Sequence, residues 1–205
     1  RTIENMDQDG NSLTPATIVT QFGYDRLGRL LLRTVDLGGI GQESHFAYNW
    51  LGDVVREFDT TGRGVARTYE GRGLVATEIP LALNQTPDAN LTTTFTYDAL
   101  GNLRFIDRPT GTRVERVYDD FARLQQEIRH PIAGSGELPI TTSFEYDAAN
   151  HVTRTYVQED GAFLSDATAL FDEGGFNYES RTRLAGGVDG AGDPLTQRKF
   201  DWAGN

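Results

Sequence analysis

Steps from an aromatic residue to an acidic or amide residue recur along this chain of 205 residues, and eight of them, which lie at similar intervals, constrain the fold more than any other feature. The copies begin at Tyr24-Asp25, Tyr48-Asn49, Tyr69-Glu70, Tyr97-Asp98, Tyr118-Asp119, Tyr146-Asp147, Phe171-Asp172 and Phe200-Asp201. The residues four positions after the aromatics are Gly28, Gly52, Gly73, Gly101, Ala122, Asn150, Gly175 and Gly204. Aspartate opens a turn because its carboxylate accepts a backbone N–H two residues on, and glycine supplies left-handed backbone. Each copy therefore predicts the turn of a β-hairpin.

The intervals between the copies predict the architecture. Successive aromatics lie 21 to 29 residues apart, which leaves room for two strands and two turns. We therefore expect residues 1–205 to form one all-β array of serial antiparallel hairpins, cut from a longer protein at both ends. The predicted turns lie at 24–28, 48–52, 69–73, 97–101, 118–122, 146–150, 171–175 and 200–204. Three pairs of copies lie 49 residues apart, so a β-propeller-like array with two hairpins per blade is the alternative.

Two ladders of side chains follow from the same alignment. The residues six positions after the aromatics include Leu30, Val54, Val75, Leu103, Leu124 and Val152. Because hairpins in series place equivalent positions beside one another, we expect these residues to form an apolar ladder and the tyrosines to form another. Ala122 occupies a position that favours glycine, so we expect strained backbone there. The predicted functional residues are these turn and ladder residues, and their predicted role is structural.

The composition limits the classes of partner. A net charge of −11 argues against a nucleic-acid-binding surface, because phosphate neutralisation needs clustered Lys and Arg. The chain has no cysteine, which excludes disulfides, thiolate metal sites and cysteine nucleophiles. No run of 18 apolar residues is present, so we predict no membrane span.

Candidate chemical sites are few. The segment from Asn5 to Asn11 has the oxygen-ligand spacing of the first half of a calcium loop, but Ala16 stands where a bidentate glutamate is needed. His45, His130 and His151 lie in different copies. A Tyr-Asp pair that recurs along the whole chain indicates a turn, since an active site needs one constellation. We therefore predict no catalytic residue, no cofactor, no metal site and no enzymatic activity.

The segment Tyr24-Asp25-Arg26-Leu27-Gly28-Arg29-Leu30 resembles the YD repeat. The segments from Tyr97 to Leu103 and from Tyr118 to Leu124 follow the same pattern. YD repeats characterise the Rhs (rearrangement hot spot) proteins, the C subunits of toxin complexes and the animal teneurins. The resemblance implies a long β-sheet that spirals into a hollow shell. In the bacterial toxins the shell encloses a toxic C-terminal segment, and in teneurins it carries cell-adhesion modules.

The same resemblance implies a function, partners and a location. The expected function is that of a structural β-shell segment that encapsulates or scaffolds a secreted polymorphic toxin. The alternative is a cell-surface adhesion or carbohydrate-binding module. The expected partners are flanking YD repeats of the same polypeptide and an enclosed C-terminal toxin domain, with glycans or cell-surface proteins under the alternative. The expected location is secreted or at the cell surface, in a bacterium.

Overall fold

A computed structural model describes residues 5–6, 12–13, 18–37, 41–171, 175, 177–184 and 196–199. The described residues are almost all strands and turns, which confirms the predicted all-β class. The chain divides into two compact units, Arg1–Thr93 and Thr94–Asn205, which are described separately. The expectation of one array over residues 1–205 stays a prediction.

The described strands of the first unit pair in sequence order. A separate two-stranded pair consists of β1 (Asn5–Met6) and β2 (Ser12–Leu13). The main strands are β3 (Ile18–Tyr24), β4 (Leu30–Leu37), β5 (Gly41–Tyr48), β6 (Val54–Phe58), β7 (Gly64–Tyr69) and β8 (Val75–Leu81). Each main strand pairs antiparallel with the next one along the chain. Two single turns of 3₁₀-helix, Leu83–Gln85 and Ala89–Leu91, follow β8.

The second unit continues the same construction with nine described strands. They are β9 (Thr93–Tyr97), β10 (Leu103–Asp107), β11 (Arg113–Tyr118), β12 (Leu124–His130), β13 (Ile140–Tyr146), β14 (Val152–Glu159), β15 (Ala162–Phe171), β16 (Asn177–Leu184) and β17 (Thr196–Lys199). All of them pair antiparallel in sequence order. A propeller blade has four strands, so this longer series fits the predicted serial hairpins and not the propeller alternative.

Every hairpin that follows an aromatic-acid step in the described residues carries a β-bulge. In β9–β10, Tyr97 lies opposite Leu103 while Thr96 lies opposite Phe105, so Arg104 is the extra residue. The same shift occurs in β3–β4, β5–β6, β7–β8, β11–β12, β13–β14 and β15–β16. A bulge bends the strand and increases its local twist. No sequence pattern had predicted it.

Few of the described side chains are fully buried. Leu81 and Val114 are each 4% exposed and Ser143 is 3% exposed. Most ladder positions are half-buried, which is typical of a sheet that cannot enclose a core on both faces at once. Among the described residues, none lies in a helix that is long and apolar enough to cross a membrane.

Candidate functional site

The repeated turn is a closed ring of hydrogen bonds, seen clearly at Asp98. The backbone N–H of Asp98 donates to the carbonyl of Asn102 (2.9 Å), and the N–H of Gly101 donates to the carbonyl of Asp98 (3.2 Å). Oδ1 of Asp98 accepts the backbone N–H groups of Leu100 (2.9 Å) and Asn102 (2.8 Å). Gly101 has a φ of 92°, in the left-handed region. One carboxylate oxygen therefore satisfies two backbone donors that the reversal of the chain leaves without strand partners.

The same ring recurs at the other described copies. The side-chain Oδ1 atoms that accept two backbone N–H groups belong to Asp25, Asn49, Asp119 and Asp147. Glu70 keeps the backbone ring, while its longer carboxylate accepts a hydrogen bond from Arg72 Nε (2.7 Å). The left-handed residues are Gly28, Gly52, Gly73, Ala122, Asn150 and Gly175. Ala122 adopts a φ of 59°, where a Cβ atom is disfavoured.

The residue after the left-handed position folds back onto the turn. Arg29 Nε donates to Asp25 Oδ2 (2.7 Å), and Arg123 Nε donates to Asp119 in the same way (2.7 Å). The remaining pairs of this kind are Asn49 with Asp53, Asp98 with Asn102, and Asp147 with His151. In the structure these polar side chains connect the two sides of each turn.

The same arginines also connect successive hairpins within a unit. The Cζ atom of Arg29 lies 4.8 Å from the centroid of the Tyr48 ring, and its Nη1 donates to the carbonyl of Asn49 (3.1 Å). In the second unit, Arg123 lies 4.7 Å from the ring of Tyr146. Cation–π contact and a charge-assisted hydrogen bond therefore act on the same neighbouring turn.

Tyrosine hydroxyls provide the second connection. The hydroxyl of Tyr48 donates to the carbonyl of Leu30 (2.7 Å), which belongs to the preceding hairpin. The equivalent bonds run from Tyr69 to Val54 (2.7 Å), from Tyr118 to Leu103 (2.9 Å) and from Tyr146 to Leu124 (2.7 Å). The accepting carbonyls belong to the sixth-position residues. Those residues also lie directly opposite the aromatic of their own hairpin, as Tyr118 lies opposite Leu124.

The ends of the series differ from its middle. Tyr24 is 60% exposed and Val152 is 38% exposed. Phe171 lies opposite Asn177 and stacks on His151 with a centroid separation of 4.6 Å. Asp172 and the copy that begins at Phe200 lie outside the described residues.

Hydrogen bonding lowers the pKa values of the turn carboxyls. The backbone N–H of Arg29 contributes most to the lowered pKa of Asp25, against an opposing effect of desolvation. Desolvation raises the pKa of Asp119, but hydrogen bonds from Arg123 and Phe121 outweigh it and the net pKa is lowered. The pKa values of Asp59, Asp98 and Asp147 are lowered as well. These groups are therefore carboxylates at neutral pH, as hydrogen-bond acceptors should be.

The histidines do not converge on one another. His45 lies 3.1 Å from Glu43, His130 lies 3.2 Å from Glu115, and His151 lies 2.9 Å from Asp147. Each imidazole thus has a separate carboxylate. Within the described ranges, no cluster of three His, Asp or Glu residues could hold a metal ion. Residues 7–11 of the candidate calcium segment lie outside those ranges.

Sequence reasoning missed equivalent turns at the other ends of the strands. The ring recurs from Asp59 to Arg63, where Gly62 has a φ of 85°, and from Arg108 to Thr112. The first of these has a signal in the sequence, because Phe58-Asp59 and Gly62 repeat the aromatic, acid and glycine spacing. Asp160 and Gly161 form a two-residue turn with φ values of 45° and 82°, and Asp-Gly is a known hairpin signal.

Solved structures share the fold of this chain, but no known family is matched. No family model matches the chain, and no curated protein matches it. A crystal structure of TcdB2-TccC3 with Cdc42 is similar, with a TM-score of 0.74 and 13% identity over 92% of this chain and 11% of that chain. A Photorhabdus luminescens Tc holotoxin pore, mutated in TccC3, has a TM-score of 0.70 and 14% identity over 94% of this chain and 11% of that one.

A third solved structure is TcdB2-TccC3 without its hypervariable C-terminal region. Its TM-score is 0.56 with 15% identity, over 98% of this chain and 12% of that chain. At such identities the likeness concerns the fold alone. The chain has the serial β-hairpin fold that Tc toxin components contain, and it spans about a tenth of the length of those chains.

Proposed function

We propose that this chain is a wall segment of an Rhs-type YD-repeat shell that encloses or scaffolds a secreted toxin. The observation that carries the proposal is the connection between successive hairpins: each of four tyrosine hydroxyls donates to a backbone carbonyl of the preceding hairpin. Such bonds stiffen a sheet along its length without building a reaction centre. The fold likeness to TcdB2-TccC3 supports the same role.

A structural role agrees with the arrangement of the charged groups. The turn carboxylates accept backbone N–H groups at fixed positions, and each is one of a series. An array of this kind gains stability from nearest-neighbour contacts, so one weakened contact affects a local part of the wall. We therefore propose that the segment has no enzymatic activity of its own.

The test uses the full-length parent protein. Electron microscopy should show a hollow particle, and a solid rod without a lumen would contradict the proposal. Limited proteolysis should leave the C-terminal region intact until the wall opens. Tyr118→Ala removes the ring and the bond to Leu103, so the C-terminal region should be cleaved at a lower urea concentration. Tyr24→Ala, at a 60% exposed site, is the matched control and should change the cleavage profile little.

A second candidate is a binding module, because large apolar side chains are exposed at the turns. Trp50 is 89% exposed and Leu51 is 60% exposed in one turn, and Leu27 is 78% exposed in the preceding one. Exposed aromatic rings stack on sugars and on protein surfaces. Saturable signals on a glycan array that disappear in Trp50→Ala would support an adhesion role at a bacterial cell surface. An array without any signal would contradict glycan binding.

A further inference from the structure

A cavity of about 460 Å³ opens on one face of the strands β10–β12. It is lined by Ile106, Arg108, Val114, Arg116, Glu127 and Arg129. The strand register explains why five of these residues meet, and Arg108 directly follows β10. Val114 lies directly opposite both Ile106 and Arg129, and Arg116 lies opposite Glu127. Residues opposite one another share a face of the sheet, and so do residues two apart on one strand.

The charges in this cavity do not balance. The carboxylate of Glu127 accepts hydrogen bonds from Arg116 Nε (3.2 Å) and Arg129 Nη2 (3.1 Å). The guanidinium of Arg108 forms no hydrogen bond or ion pair with any residue that the structure describes. Three guanidinium groups against one carboxylate leave two net positive charges, in a chain whose net charge is −11.

The exposure of these charged groups differs: the Arg129 side chain is 70% exposed and Arg108 is exposed, whereas Arg116 and Glu127 are more buried. Val114, which is 4% exposed, forms an apolar floor beneath the charged groups. The side chains of Glu127 and Arg116 are 17% and 31% exposed, so this ion pair is partly withdrawn from water. Electrostatic interactions are stronger away from water because the effective dielectric constant is lower. Glu137 lines an adjoining cavity beside Arg108 and Arg129. Its carboxylate forms no ion pair with either of them in the described part of the chain.

We propose that this cavity binds a phosphate dianion, either as inorganic phosphate or as the phosphate group of a phosphomonoester. Guanidinium groups present paired N–H donors in a planar fork that matches oxyanion geometry. Arg108 has all of its side-chain donors available, and Arg116 and Arg129 each keep donors that Glu127 does not use. A dianion neutralises two net positive charges, whereas a single carboxylate leaves one uncompensated. The site is separate from the Tyr-Asp turns and does not depend on the shell function.

Calorimetric titration of the full chain with sodium phosphate at low ionic strength tests the site. At about pH 7.5 the phosphate is mostly a dianion. Binding should be saturable, with one site per chain. Arg108→Gln and Arg129→Gln should each weaken it about tenfold or more, because each removes charge-assisted hydrogen bonds. Arg104→Gln removes the same charge from β10 outside the cavity and should change the affinity less than about twofold.

Further arms identify the ligand and protect the test from misfolding. Sodium acetate, a single charge, should bind about tenfold more weakly than phosphate, and equal affinity would overturn the dianion assignment. Tighter binding of glycerol 2-phosphate than of phosphate would indicate a phosphomonoester, and equal affinity the free anion. No saturable heat with either phosphate, or an equal loss in Arg104→Gln, would overturn the proposal. Arg108 is exposed and its guanidinium has no described partner, so Arg108→Gln should keep the wild-type circular dichroism spectrum.

Discussion

The two ends of the strands are built differently, although the same strands connect them. The Tyr-Asp end is defined by the turns that follow the aromatic-acid steps. There, each described hairpin has a left-handed residue four positions after the aromatic and a bulged residue three positions further on. At the opposite end, called the return end, the connections vary. They include the rings Asp59–Arg63 and Arg108–Thr112, the tight turn Asp160-Gly161 and the loop between His130 and Ile140.

This difference has a physical reason. Tyrosine hydroxyls and arginines connect successive turns at the Tyr-Asp end, so a change of length there would break contacts in two hairpins. At the return end the unequal spacing of the copies is absorbed by connections of unequal length. One end therefore controls the register, and the other tolerates insertions, as surface loops generally do.

The largest expected effect is a difference in stability between alanine substitutions at two turn glycines that have similar backbone conformations. Gly62 has a φ of +85°, and a Cβ there would lie 2.6 Å from the backbone N of Gln85. Gly28 has a φ of +79° with open space around its Cβ position. We expect Gly62→Ala to lower the free energy of unfolding by about 3 kcal/mol, from left-handed strain plus overpacking. Gly28→Ala should lower it by about 1 kcal/mol, from strain alone. Urea unfolding measures both, and equal losses would show that the contact with Gln85 contributes nothing.

The next effect concerns the hydroxyl connection. Tyr118→Phe removes the bond to the Leu103 carbonyl and should lower the free energy of unfolding by about 1 kcal/mol. The hydroxyl of Tyr24 bonds to no described residue, and Tyr24 is 60% exposed. Tyr24→Phe should therefore change the free energy of unfolding by less than about 0.5 kcal/mol. Chemical denaturation of the two variants measures both changes in the free energy of unfolding. If both are neutral, the hydroxyl series does not stabilise the array.

Acid should weaken the turns led by aspartate and spare the turn led by Arg108. The Asn102 side-chain amide is the largest cause of the lowered pKa of Asp98, whose ordinary value is 3.8. Because the folded pKa is below the unfolded one, this contribution to stability is present above about pH 4 and is lost as the pH falls through the folded pKa. By NMR, the amide of Leu100 should titrate with a midpoint below 3.8.

The control for the acid experiment lies in the same unit. The amide of Gly111 donates to the carbonyl of Arg108 in a ring without a carboxylate, so its NMR shift should not follow the carboxylate titration. Asp98→Asn keeps an acceptor oxygen and should abolish the titration at Leu100. A midpoint above 3.8 at Leu100 would contradict the hydrogen-bond account of the pKa.

The smallest effect is expected in alkali. Desolvation raises the pKa of Tyr146 above its ordinary value of 10.0, and that of Tyr69 likewise. A raised folded pKa means that their contribution to stability is fully present below pH 10.0 and is lost as the pH rises through the folded pKa. Tyrosinate absorbance should show late-titrating groups, one of which disappears in Tyr146→Phe. The chain in urea is the control, and identical titration curves in the folded and unfolded states would refute the shift.

Much of the fold could be predicted because its strongest signal is local. An aspartate, the backbone two residues on and a left-handed residue all lie within five consecutive positions, as from Asp98 to Asn102. The same local spacing is present at Phe58-Asp59 and Gly62, although the intervals between the copies predicted a second turn in each without giving its position. The bulge at Arg104 and the hydrogen bond from Tyr118 to Leu103 could not be predicted from such local spacing. Both depend on how a strand is aligned with its partner in space.

The sequence by itself determined the all-β class, the order of the hairpins and the absence of cysteine chemistry, because turn propensity and composition need no partner strand. Only the tertiary structure decided which side chains meet across strands. Arg108, Arg116 and Arg129 lie up to 21 positions apart: Arg108 directly follows β10, Arg116 belongs to β11 and Arg129 belongs to β12. Their convergence around Val114 and Glu127 depends on the register of two strand pairings. A slip of one residue would turn these side chains to the other face, so no reading of spacing along the chain could have placed them together.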